Sequence, residues 1–126
     1  LVYLQEPGRF RAPRDAWEAG AVASEAVREA IFPATYGKRL WLTHMRPEVA
    51  RGHLWPLFPQ AAQSVVLGYR NRGGTLNEAG MLFANGCSWA HVLSSCADLL
   101  ASDDVRLLSQ DEAAAVAGQG DPSILR

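Results

Sequence analysis

Cysteine is scarce in this chain: only Cys87 and Cys96 occur in 126 residues. They stand nine apart inside what reads as one helix, so at about 100° per residue their side chains point about 180° apart. That reading excludes a disulfide within the helix. No third Cys and no His at ligand spacing supply a zinc framework, so both read as buried free thiols, as a reducing compartment allows. Long apolar runs are lacking as well. Charges and prolines interrupt every hydrophobic stretch well short of about 18 residues, and no signal peptide opens the chain, so a membrane span is excluded and a cytoplasmic location is expected. Charge of one sign is also missing. Twelve basic and 13 acidic side chains leave a formal net charge of −1, which gives no global field to attract nucleic acid or an anionic membrane. Walker A, Gly-x-Gly-x-x-Gly, Gly-x-Ser-x-Gly and His-Glu-x-x-His sequences are all absent.

What is present describes one α/β domain over residues 1–126. Hydrophobic residues make up 48% and charged residues 20%, a composition typical of folded globular domains. The opening Leu1–Gln5 reads as the tail of a buried strand, so further sequence is expected upstream. After the breaker Glu6-Pro7-Gly8, a helical pattern runs from Asp15 to Phe32, with Asp15 as N-cap and Glu18 in capping-box position. Gly20 and Ser24 divide it into what could be two short helices. A second strand is predicted at 38–43, a helix opening with Pro47, and a third strand at 63–68. The longest helix is predicted over 77–101, and a short alanine-rich one opens at Ser109 and stops at Gly118 and Gly120. Strands alternating with helices imply an open, mainly parallel sheet of three or more strands flanked by helices.

In such sheets ligands bind beyond the carboxyl ends of the strands. Two loops fall there: His44-Met45-Arg46-Pro47, and Tyr69 to Thr75. In the second, Gly73 and Gly74 permit a close turn, Arg70 and Arg72 supply forked donors, and Thr75 is placed to cap the next helix. An anion could sit against His44, Arg70, Arg72 and Thr75. The same residues equally suit a plain turn and a salt bridge to another chain. His53 and His91 read as packing or interface residues, and no metal triad can be assembled from the three histidines. Trp17, Trp41, Trp55 and Trp89 are many for this length and read as interface anchors.

The third strand and the helix after it carry a resemblance. Gly68-Tyr69, Gly73, Met81, Asn85 and His91 fall without a gap at the intervals of the C-terminal domain of phosphoketolases, with Thr75 one place late. His44 and Pro47 match that family's His-x-x-Pro. The chain therefore resembles the C-terminal domain of thiamine-diphosphate enzymes of the phosphoketolase/transketolase type over residues 38–100. It departs from the family in Arg70-Asn71-Arg72, in Leu76 to Gly80, and in Ser88-Trp89-Ala90, so substrate identity is not carried over.

The resemblance implies the C-terminal part or a small subunit of a larger lyase or transferase acting on sugar phosphates or related ketoses, assembled as a dimer or hetero-oligomer. It implies that thiamine diphosphate and magnesium lie in partner segments. The Gly-Asp-Gly and following Asn that hold them in such enzymes are missing from this chain, so no catalytic residue and no cofactor are assigned to it. Its expected role is assembly or shaping of the substrate entrance. The alternative drawn from the residues themselves is a free-standing module that binds small anions.

Overall fold

The computed structural model describes residues 2, 4–58, 64–70, 74–101 and 107–125. Its elements in chain order are α1 (Ala16–Ala19), α2 (Glu25–Ile31), β1 (Arg39–Thr43), α3 (Pro47–His53), β2 (Ser64–Gly68), α4 (Glu78–Ala84), α5 (Trp89–Leu100) and α6 (Gln110–Val116). Short 3-10 turns lie at Pro7–Phe10, Trp55–Leu57 and Pro122–Leu125.

The centre is a β-α-β unit. β1 and β2 pair in parallel, with Arg39 opposite Ser64 and Thr43 opposite Gly68. Parallel strands cannot be joined by a hairpin, and α3 with the Trp55–Leu57 turn lies in the crossover between them. Pro47 opens α3 because its missing N–H costs nothing at the first helical position. The expected strand near the N-terminus does not form at Val2, Leu4 or Gln5, while Leu1 and Tyr3 lie outside the described residues. Among the described residues the sheet therefore has two strands, not three or more. Glu6-Pro7-Gly8 leads instead into a 3-10 turn that runs to Phe10.

Arginines hold the crossover in place. Arg39 donates to the carbonyls of Leu57 at 2.7 Å, Phe32 at 2.9 Å, Pro33 at 3.0 Å and Tyr36 at 3.2 Å. It thereby fastens the turn after α2 and the turn after α3 to the start of β1. Arg51 donates to Ser64 O at 2.7 Å, and its guanidinium lies over Phe58. An aromatic row, Phe10 to Phe32 to Trp41 to Phe58, has centroid spacings of 5.7, 5.4 and 5.0 Å and carries the N-terminal segment onto the sheet.

The N-terminal helical pattern resolves into two helices. Asp15 caps α1 as expected, accepting from Glu18 N at 2.9 Å. The Glu18 carboxylate does not complete a capping box. It is 3% exposed and binds the guanidinium groups of Arg11 and Arg14, a pairing that offsets the cost of burying its charge.

The single long helix expected over 77–101 is two helices. Gly86 takes φ +70°. Cys87 N donates to Leu82 O at 2.8 Å and Gly86 N to Phe83 O at 2.9 Å, the paired bonds of a Schellman ending. Cys87 thus sits in the break, not on a helix. α6 ends the same way at Gly118, φ +76°, with Gln119 N to Ala114 O at 2.8 Å and Gly118 N to Ala115 O at 3.1 Å. It opens with the complete capping box of Ser109 and Glu112.

α5 packs against both strands, and α6 packs against α5 and the last 3-10 turn. Ala90, Ala115 and Leu125 bury one another beneath Phe83, Leu108 and Val116. Trp89 Nε1 donates to Leu125 O at 3.1 Å and ties the C-terminal turn to α5.

Candidate strand-end site

The residues singled out from the sequence gather beyond the carboxyl ends of β1 and β2, and Gly68 shows why they sit so close. A β-carbon there would lie 2.3 Å from Met45 O, 3.1 Å from Thr43 Cγ2 and 3.2 Å from Pro47 Cδ. Only glycine lets the loop after β1 lie against the end of β2. The next residue, Tyr69, stacks on His44 with centroids 5.3 Å apart and planes 24° apart. His44 is exposed and Tyr69 half-buried.

Asn85 anchors the second loop. Its Oδ1 accepts from Arg70 N at 2.7 Å, its Nδ2 donates to Met81 O at 2.9 Å, and the residue is buried. The amide bridges the root of the Tyr69–Thr75 loop and the last turn of α4, which no hydrophobic contact could do with the same directionality. Cys87 lies alongside; burial pushes its thiol above the usual range, with the nearby charge of Arg70 acting in the opposite sense. Cys96 is half-buried, and both thiols are free.

His91 lies in the first turn of α5. Its Nδ1 is 2.7 Å from Ser88 Oγ, and Phe83 packs edge-on at 5.1 Å. Burial holds the imidazole below its ordinary range and so favours the neutral ring. Ser88 is the N-cap of α5, yet its hydroxyl faces His91 and makes no bond to the helix backbone.

Of the predicted site residues, the structure brings His44, Gly68, Tyr69, Arg70, Met81 and Asn85 into one connected unit. Thr75 stands apart from it: it is exposed, and the cap of α4 is Asn77, whose Oδ1 accepts from Gly80 N at 2.9 Å. Arg72 and Gly73 lie outside the described residues. Sequence reasoning missed the Ser88–His91 pair, although a Ser three residues before a His at a helix start was its available signal.

Elsewhere, a largely apolar cleft of about 270 Å³ opens between α4 and the C-terminal turn, lined by Leu76, Phe83, Ser88, Trp89 and Leu125 among others. Among the described residues no three His, Cys, Asp or Glu side chains stand together as metal ligands, and no helix is long and apolar enough to cross a membrane. No protein-family model, curated protein or solved structure matches the chain. What fold and geometry define is a small α/β unit with a built strand-end cluster.

Proposed function

We propose that this chain is the C-terminal domain or a small subunit of a cytoplasmic thiamine-diphosphate enzyme of the phosphoketolase/transketolase type, where it serves assembly or shapes the substrate entrance. The observation that carries the reading is the Asn85 bridge. Several of the positions on which the resemblance rests are joined around it: Met81 receives its hydrogen bond, Arg70 next to Tyr69 donates to it, and Gly68 closes the unit against the His44 loop. A motif whose members depend on one another in this way has a structural reason for fixed spacing.

The exposed aromatics support a partner-facing role. Trp17 is 85% exposed, Tyr36 68% and Trp55 62%, and such side chains are enriched where proteins meet. In this reading the cofactor belongs wholly to the partner segment, and no chemical step is assigned to this chain.

Mixing the purified chain with a larger chain that bears the Gly-Asp-Gly and Asn diphosphate motif, followed by size-exclusion chromatography with light scattering, tests the reading. Co-elution in a defined stoichiometry is expected. A monodisperse monomer that ignores such a partner overturns it.

A further inference from the structure

The arginines of this chain divide into two groups. Arg9 pairs with Glu6, and Arg11 and Arg14 pair with Glu18. Arg28 donates to Ala23 O, Arg39 to four carbonyls and Arg51 to Ser64 O. Among the described arginines, only Arg46 and Arg70 have guanidinium groups without a hydrogen-bond or ion-pair partner. Both are exposed, and both sit at the same end of the sheet, on the loops that follow the paired residues Thr43 and Gly68.

These loops are not independent. The carbonyl of Met45, next to Arg46, lies against Gly68, and His44 stacks on Tyr69, next to Arg70. Asn85 fixes the backbone of Arg70 itself. Two forked donors and one imidazole are thus carried on a braced platform, with no carboxylate paired to any of them among the described residues. Glu48, two residues beyond Arg46, forms no ion pair with it. The other described arginines direct their guanidinium groups to carbonyls and carboxylates of this chain. Here it leaves them open to solvent at the location where parallel sheets receive ligands.

We infer that Arg46, Arg70 and His44 form a seat for a small tetrahedral dianion of the phosphate class, either free or as the head of a monoester. A planar guanidinium presents two parallel N–H groups to such an anion, and two of them carried on adjoining loops suit several oxygens better than a single-charge halide. Arg46 takes the place that the sequence had assigned to Thr75. The inference does not rest on the thiamine-diphosphate reading, because every residue of the seat belongs to this chain.

The test is a titration of the full chain with inorganic phosphate at fixed ionic strength, followed by amide chemical shifts and by thermal unfolding. Shifts centred on residues 44–46 and 68–70 and a phosphate-dependent rise in Tm are expected, with a matched chloride series giving neither. Arg46→Ala and Arg70→Ala should each weaken binding about tenfold or more, since bonds to charged groups are the strong ones, and the double variant should abolish it. Lys38→Ala removes the single lysine, just before the opposite end of β1, and should bind as the parent does. Far-UV circular dichroism establishes that each variant is folded. Arg70→Lys, which keeps the charge and loses the fork, should bind at an intermediate level if Arg70→Ala proves unstable. An unchanged double variant, an equal response to chloride, or an equal loss in Lys38→Ala overturns the seat.

Discussion

At the scale of a single residue, Gly68 carries more of the structure than its lack of a side chain suggests. It brings two loops into contact by having nothing in the way. Gly68→Ala would press a methyl into Met45 O, which is backbone and cannot rotate aside. Overpacking of this kind costs about 1–3 kcal/mol. An unfolding free energy lowered by that amount, read as a lower urea midpoint with an unchanged m-value, is the expected result, and a midpoint equal to the parent's contradicts the close approach. The importance of Gly68 was legible in the sequence through its spacing to Tyr69, Met81 and Asn85, but its reason was not. The reason is a carbonyl 23 residues away in the chain, and no local pattern encodes that contact. The same holds for Asn85, whose Oδ1 reaches back 15 residues to the backbone of Arg70, and for Arg46, which with Arg70 differs from the other described arginines in what its guanidinium fails to meet.

At the scale of elements, end signals were read more reliably than continuity. Asp15, Pro47, Ser109 and Gly118 each act locally on unsatisfied backbone groups, and each marks the end that the structure has. Gly86 was harder to read because the apolar pattern continues on both sides of it, at Met81, Phe83, Val92 and Leu93, as one long helix would require. Gly118 has the same backbone ending but precedes a polar tail, so its role was visible. The break at Gly86 predicts the sign of a substitution. Within a continuous helix Gly86→Ala would stabilise by roughly 0.5–1 kcal/mol. At φ +70° it should instead destabilise by about 1–2 kcal/mol, since the new methyl meets only His91 Cδ2 at an ordinary 3.8 Å. Chemical denaturation of Gly86→Ala beside Gly86→Asn decides the matter: asparagine tolerates the left-handed region and should recover part of the loss. The strand expected at the N-terminus failed for a related reason. A short apolar run shows that a segment is to be covered, not that a neighbouring strand is available to pair with it.

At the scale of the whole molecule, His91 and Glu18 shape the response to acid, together with Glu112, whose carboxyl the Ser109 capping box holds below its usual range. Burial lowers the folded pKa of His91 below its ordinary 6.5. The unfolded chain therefore binds a proton that the folded chain refuses, and stability falls as pH drops below about 6.5. Glu18 follows the same sign at lower pH. The guanidinium groups of Arg14 and Arg11 hold its carboxyl well below the usual 4.5, so its contribution is present above that value and is lost as pH falls beneath it. Urea unfolding between pH 8 and pH 3 should show two successive declines. Glu18→Gln should reduce the lower one, to which Glu112 also contributes, and leave the upper, whereas His91→Gln should flatten the upper and leave the lower. A single decline that neither variant alters would remove this account. The molecule thus joins its N-terminal helices to the sheet by the aromatic row and by the bonds of Arg39 to the carbonyls of Phe32 and Pro33, and holds its C-terminal helices to one another by small apolar contacts.

That last attachment includes the bond from the Trp89 indole to Leu125 O, across 36 positions of sequence. It makes the end of the chain optically visible. With Trp17, Trp41 and Trp55 replaced by phenylalanine, the remaining fluorophore would report in its emission colour whether the terminal turn is docked or released, without any attached label.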